Sequence, residues 1–282
     1  MNTCLQLLRH LCFAILSMIA VGFMSCKSSE TKTNNPPPNK SLNIVAAKFT
    51  DEAPFVHDTT KKYLYFTFDD GPQTGTMTCF HIAQELGVKA SFFMIGVQID
   101  SKTLEKRVDS IRNSYPKLLL CNHSFTHGNF NSYKSYYGNP DSAMHDVIKA
   151  QSTMDVPFKI FRTPANNSWD INGRVRCPEL TKQLCSLLGN KGYEIVGWDV
   201  EWNFKGKKST PVESADEMIR KIETAFKENQ NFVRNNVVVL SHDRMFTQPQ
   251  YADSLRKVIS ILQQDRSIVF ETMNHYPGIQ SK

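Results

Sequence analysis

Side chains able to do chemistry recur at intervals along this chain. Asp69 and Asp70 stand side by side at the end of an aromatic run, Tyr63-Leu-Tyr-Phe-Thr-Phe68, and Gly71-Pro72 follows. His123 and His127 lie four positions apart, Arg162 opens Arg-Thr-Pro164, Asp199 and Glu201 sit within Trp198-Asp-Val-Glu-Trp202, and His242 lies in Leu-Ser-His-Asp243. Singly, each has an ordinary reading. Asp-Asp-Gly is a favoured turn, two histidines at that spacing can be solvated on a helix face, an arginine can form a surface ion pair, and a lone histidine can be a satisfied core residue. Together their chemistry is complementary. Two imidazoles and one carboxylate make three ligands for a zinc-like divalent ion and leave positions open. Water bound there falls in pKa from about 15.7 to about 7. The second carboxylate is then free to take a proton from that water. The Gly-Pro turn is expected to break the strand, so that both aspartates face one site where strict alternation would send them to opposite sides.

The elements that must position these groups alternate. Strands are expected over 63–68, 90–95, 117–121, 158–161, 193–202, 236–240 and 267–271, and helices over 76–86, 102–114, 140–152, 178–190, 213–228 and 249–264. The last helix carries Tyr251, Leu255, Val258, Ile259 and Leu262 at helical spacing. Alternating β and α implies parallel strands joined by right-handed crossovers. The reactive residues fall at the carboxyl ends of five of these strands, the face on which parallel α/β folds build their sites. Periodicity alone does not separate an open doubly wound sheet from a closed barrel.

The chain of 282 residues has a net charge of +6, is 40% hydrophobic and 21% charged. Its basic residues are scattered, and no arginine-rich helix or basic tract points to nucleic acid. Residues 1–26 have the form of a secretory signal peptide, with Arg9 and His10 before an apolar run too short for a comfortable membrane span. Ser25-Cys26 resembles the cleavage box of bacterial lipoproteins, which makes Cys26 the expected lipid attachment point and the protein an exported, membrane-anchored one. Residues 27–44, with three consecutive prolines and almost no apolar side chain, are expected to be an extended linker. Residues 45–282 form the remaining domain. Its four cysteines, Cys79, Cys121, Cys177 and Cys185, make no C-x-x-C pair. Cys177 and Cys185 would lie about two turns apart on a helix opening at Pro178, roughly 11 Å, beyond disulfide reach. Free, mostly buried thiols are therefore expected.

In order along the chain, "TFDDGP" at 67–72, "GVKASFFMIG" at 87–96, "HSFTH" at 123–127, "RTP" at 162–164 and "LSHD" at 240–243 resemble the NodB-type polysaccharide deacetylases, the fourth carbohydrate esterase family. The similarity spans about 63 to 272. The resemblance implies a distorted (β/α) barrel of about seven parallel strands, the NodB homology domain. It implies Asp69 as general base, Asp70, His123 and His127 as ligands of one Zn²⁺ (or Co²⁺ or Ni²⁺), Arg162 orienting Asp69 and holding it ionised, and His242 as general acid. The reaction would remove N-acetyl groups from a glycan, such as peptidoglycan or chitin oligomers, releasing acetate. A backbone N–H near Ala165, after Pro164, would help stabilise the oxyanion. An O-acetyl xylan esterase of the same family is the alternative, and a non-catalytic sugar-binding lipoprotein a third reading. A monomer is expected. Two motifs depart from the family. The third continues Ala165-Asn-Asn167 in place of an aromatic and glycine. The fourth is compressed to Trp198–Trp202, leaving Asp199 or Glu201 to orient His242 and Trp202 to line an acetyl pocket.

Overall fold

Strand β1 spans Lys62–Gly71, and all but its first residue are buried. Its aromatics favour extended backbone, and burial on both faces marks a central strand. Leu64, Phe66 and Phe68 pack among the helices, while Tyr63 and Tyr65 point the other way, into a second cluster with Phe93, Leu119, Trp169, Val238 and Tyr276. Truncating Phe66 or Phe68, each 1% exposed, would cost about 3–5 kcal/mol. Around β1 the computed structural model, which describes residues 55–279, places α1 (Thr76–Glu85), β2 (Ala90–Met94), α2 (Lys102–Asn113), β3 (Leu118–Asn122), α3 (Pro140–Thr153), β4 (Ile160–Phe161), β5 (Trp169–Ile171) and β6 (Arg174–Arg176). There follow α4 (Glu179–Gly189), β7 (Glu194–Ile195), β8 (Val200–Glu201), β9 (Phe204–Lys205), β10 (Thr210–Pro211), α5 (Ala215–Lys227), β11 (Asn236–His242), α6 (Pro249–Leu262) and β12 (Ile268–Phe270).

The sheet order is β6-β5-β7-β4-β3-β2-β1-β11-β8, with β12 paired to the start of β1. Its pairings are parallel except where β5 meets β6 and β7. This is a curled half-barrel of mostly parallel strands, in keeping with the distorted barrel expected. The helices begin where local chemistry directs. Ser214 and Glu217 form a capping box at the start of α5, and Asn139 caps α3 ahead of Pro140 at its first turn. The α5 residues Met218, Ile219, Ile222, Ala225 and Phe226 then bury one face against the sheet.

One expected strand, 193–202, is two. β7 pairs with β4 near one end of the sheet, and β8 with β11 at the other. The run breaks at Gly197, where a Cβ would lie 2.0 Å from Asn167 Oδ1, and Asn167 holds the backbone N–H and C=O of Trp198. The chain thereby crosses from one end of the sheet to the other, and the half-barrel stays open between them. The signal peptide, Cys26 and the linker lie outside the described residues. Among the described residues, no helix is long and apolar enough to cross a membrane.

Candidate active site

Asp69 and Asp70 reach one site through a bulge within β1 rather than through the turn after it. Asp69 pairs with Phe93 and Gly71 with Met94, so Asp70 is the extra residue. Its φ is +77°. On a regular strand Asp70 would follow Leu64, Phe66 and Phe68 toward the helices. The bulge turns it onto the face of Asp69, at roughly 1–2 kcal/mol for a left-handed non-glycine residue. Asp69 and Asp70 are 2% and 4% exposed.

The histidines follow β3. Between them Ser124 has φ +70°, and His127, Gly128, Asn129, Phe130 and Asn131 all have positive φ, a single left-handed turn. It brings Asn131 back over His127, whose ring centroid lies 5.1 Å from that of His123. Asp70 Oδ1 lies 3.1 Å from His127 Nε2 and 3.4 Å from His123 Nε2. That oxygen is buried without a hydrogen-bond partner. Both rings spend their other nitrogen elsewhere. His123 Nδ1 donates to the Arg162 carbonyl at 2.9 Å, and His127 Nδ1 to Asn131 Oδ1 at 2.7 Å. With the proton on Nδ1, each Nε2 lone pair points inward, the tautomer a metal requires. The three donor atoms lie within 4.8 Å of one another. This donor set fits a divalent ion with open positions. Burial alone would raise the Asp70 carboxyl, but attraction to His123 and His127 when those rings are protonated outweighs it and holds it well below the usual range. Burial likewise opposes protonation of His127, yet the adjacent Asp70 carboxylate raises it overall.

Asp69 is held differently. Arg162, fully buried after β4, donates from Nη1 to Asp69 Oδ1 at 2.8 Å and to Thr67 Oγ1 at 2.7 Å, and from Nη2 to the Gly197 carbonyl at 2.9 Å. Its guanidinium lies 4.1 Å above the Phe93 ring. Asp69 Oδ2 faces His123 Nε2 at 3.7 Å. His242 is the strand partner of Asp69 across β1 and β11, and its Nε2 lies 3.9 Å from Asp70 Oδ2. Burial lowers the His242 imidazole, more than the neighbouring aspartates raise it.

The compressed fourth motif does something other than expected. Asp199 accepts the backbone N–H groups of Phe232 and Val238, at 2.7 and 2.9 Å, and burial pushes it up to about 6. It is a backbone staple. Glu201 is raised chiefly by burial, and Trp198 partly offsets this. Neither carboxylate serves His242, whose buried Nδ1 has no hydrogen-bond partner. The Phe204 ring meets the His242 ring edge-on at 4.9 Å and orients it by packing. Trp202 is fully buried against Phe246, with its indole N–H on the Glu213 carbonyl. It belongs to the core and lines no acetyl pocket. Pro164 is buried, with its carbonyl accepting from Tyr137, and Ala165 is exposed at φ +57°.

Sequence reasoning passed over four contributors. Asn131 receives His127. Arg244 binds Asp70 Oδ2 and lies 4.9 Å from the Phe204 ring. Asp243, fully buried, holds the Thr76 hydroxyl and the Gln73 amide, and burial pushes it up to about 7. Gly75 makes room for it, since a Cβ there would lie 1.8 Å from the Asp243 carbonyl oxygen. Only Asp243 gave a signal, as the last letter of "LSHD".

The description "Polysaccharide deacetylase" belongs to the family model that matches residues 57–176. That span holds Asp69, Asp70, His123, His127 and Arg162, and through it the chain matches the polysaccharide deacetylases, a family of hydrolases. A Bacillus subtilis relative, "Putative polysaccharide deacetylase YheN", is 24% identical over 248 residues, 83% of this chain and 79% of the relative. The fold is shared with the catalytic domain of peptidoglycan N-acetylglucosamine deacetylase from Eubacterium rectale (20% identity, 81% of this chain and 96% of that one, TM-score 0.58). It is shared too with the Xyl-CE4 domain of a multidomain xylanase from the hindgut metagenome of Trinervitermes trinervoides (21% identity, 76% and 88%, TM-score 0.50).

Proposed function

We propose that this protein is a metal-dependent deacetylase that removes N-acetyl groups from an N-acetylglucosamine-type glycan of the cell envelope, peptidoglycan first among them. The observation that carries this reading is the meeting of Asp70 Oδ1 with two inward-facing imidazole nitrogens, beside an aspartate clamped by a buried arginine. Zn²⁺ is the expected ion, with Co²⁺ or Ni²⁺ as substitutes, and Asp70, His123 and His127 would hold it. When bound, such an ion polarises the acetyl carbonyl and makes water acidic enough to lose a proton near neutral pH.

The rest falls to this chain's own side chains. Arg162 occupies Asp69 Oδ1, which leaves Oδ2 as the oxygen that accepts the water proton. The backbone N–H of Ala165 would donate to the oxygen that gains charge. His242, across the site, would protonate the departing sugar nitrogen. The amide C–N bond breaks, a C–O bond forms, and acetate and a free amine result. A cleft of about 720 Å³ lined by Asn131 and Tyr133 adjoins the cluster, since Asn131 Oδ1 accepts from His127. An export signal with lipidation at Cys26 would tether the enzyme as a monomer at a membrane facing such a polymer.

Acetylated xylan is the second reading, favoured by the likeness to the xylanase-linked domain. Acetate release by the purified protein on peptidoglycan, chitin oligomers and acetylated xylan, each with zinc, cobalt or nickel, separates the two. Release from N-acetylated glycans alone is expected. Release from xylan alone would select the esterase. Glycan binding with no release under any metal would leave a sugar-binding module.

A further inference from the structure

The left-handed turn that carries His127 also carries an aromatic ring into solvent. Phe130 has φ +53° and ψ +47°, a conformation that a bulky side chain adopts only under constraint. Its side chain is 66% exposed, so burial returns little against that strain. Every other Phe, Tyr and Trp among the described residues is at least partly buried. The next residue ties the turn to the site. Asn131 Oδ1 accepts from His127 Nδ1 at 2.7 Å and from the Tyr133 hydroxyl at 2.7 Å. The Tyr133 ring meets the His127 ring edge-on at 5.9 Å. Gly128 leaves the room this needs, since a Cβ there would lie 2.8 Å from the Tyr133 ring. The cleft of about 720 Å³ is lined by Asn131, Ser132, Tyr133, Lys134 and Ser135. His127 turns Nε2 to Asp70 and Nδ1 to Asn131. The cleft therefore lies across the width of one imidazole from Asp70.

We propose, resting on the glycan reading above, that Phe130 and this cleft hold the sugar ring adjoining the one that loses its acetyl group. A pyranose presents C–H groups on its faces and hydroxyls around its edge. A flat aromatic ring covers the faces. The amide of Asn131 and the hydroxyls of Ser132 and Ser135 are the few polar groups that fix an edge. Lys134 is the one charged residue of that lining, which suits a neutral sugar better than a strongly charged ligand. A strained, solvated ring beside metal ligands is an outlier that substrate contact explains and fold stability does not. The platform also has a consequence for chain length. A single sugar fills the reacting position between Asp69 and His242 alone, whereas an oligomer reaches past His127 to Phe130.

Binding rather than turnover tests the platform, which separates it from the deacetylase reading. The full chain carrying Asp69→Asn, loaded with zinc, is titrated calorimetrically with N-acetylglucosamine and with xylose, each as a single sugar and as a tetramer. The tetramer of one series should bind more tightly than its single sugar. Adding Phe130→Ala should weaken tetramer binding about tenfold, the loss expected for uncovering one aromatic face. The gap to the single sugar should narrow by the same factor. Phe130→Trp in its place should keep the tetramer affinity. Tetramer binding that depends on Phe130, beside wild-type protein that releases no acetate from any glycan, would uphold the platform and discard the deacetylase reading. Tetramer affinity that survives Phe130→Ala, single sugar and tetramer bound alike, or a self-associated chain that Phe130→Ala makes monomeric would overturn the platform.

Discussion

Neighbouring aspartates with different partners should fail differently when each is changed to asparagine. Asp70 presents Oδ1 to His127 at 3.1 Å and His123 at 3.4 Å, and that oxygen has no hydrogen bond to lose. An amide there offers either a neutral oxygen, a weak donor to a hard cation, or an NH₂ that faces two lone pairs. Asp70→Asn should therefore lose both metal and rate. Asp69 donates nothing to the cluster of three ligand atoms. In Asp69→Asn the amide oxygen can keep the 2.8 Å bond from Arg162, while the amide nitrogen takes the place of Oδ2. The fold and the metal should survive, but the proton acceptor is gone. General-base catalysis contributes about 10²- to 10⁴-fold, or roughly 3–5 kcal/mol of barrier. The expected signature is a rate down by that factor at unchanged metal stoichiometry. Acetate release and metal content measured by atomic mass spectrometry on the same preparations read both quantities. If Asp69→Asn loses the metal while Asp70→Asn keeps it, the roles are exchanged. If both retain full rate, this is not the active site.

Other perturbations follow from the same contacts. Arg162→Met strands a buried carboxylate and should cost about 3–5 kcal/mol in urea unfolding; adding Asp69→Asn should recover a large part, and strict additivity would refute the coupling. Asn131→Ala removes the acceptor of His127 Nδ1 and should weaken metal affinity about 10- to 100-fold in a chelator competition, whereas an unchanged affinity would argue that His127 is no ligand. Asp243 has its folded pKa raised from 3.8 to about 7, so the fold favours its neutral form. That contribution is present below about pH 4 and is lost as pH rises toward 7, by up to about 4 kcal/mol. In metal-free protein Asp243→Asn should be near neutral at pH 4 and stabilising at pH 8, and an offset that ignores pH would dismiss the linkage.

The alternation of strand and helix was legible because burial imposes it residue by residue. In β1, Leu64, Phe66 and Phe68 belong to one side and Tyr63 and Tyr65 to the other, a pattern that needs no structure to read. The division of 193–202 was not legible, because a break made by a close approach of Asn167 to Gly197 depends on a contact about 30 residues away in the chain. Asp199 looked like a partner for His242 for the same reason. A carboxylate between two tryptophans carries no mark that its oxygens will be taken by the N–H groups of Phe232 and Val238.

The site's backbone lies further still from what residue type reveals. Asp70, Ser124, His127 and Ala165 have φ of +77°, +70°, +52° and +57°, and each is a site residue or directly beside one. Propensity would put glycine or asparagine at such positions. Side chains are needed there, so the strain, about 1–2 kcal/mol at each, must be carried by the packed surroundings. Those surroundings are visible: β1 is buried without a break from Tyr63 through the bulge to Gly71, and β3 is buried throughout before His123. A rigid, doubly covered strand is what lets an adjacent residue stay in an unfavourable conformation. The aromatic run that leads into Asp69 and Asp70 is therefore part of the site. Weakening it by Phe66→Ala should loosen the bulge and cost metal affinity as well as stability, even though Phe66 points toward the helices and away from the ligands.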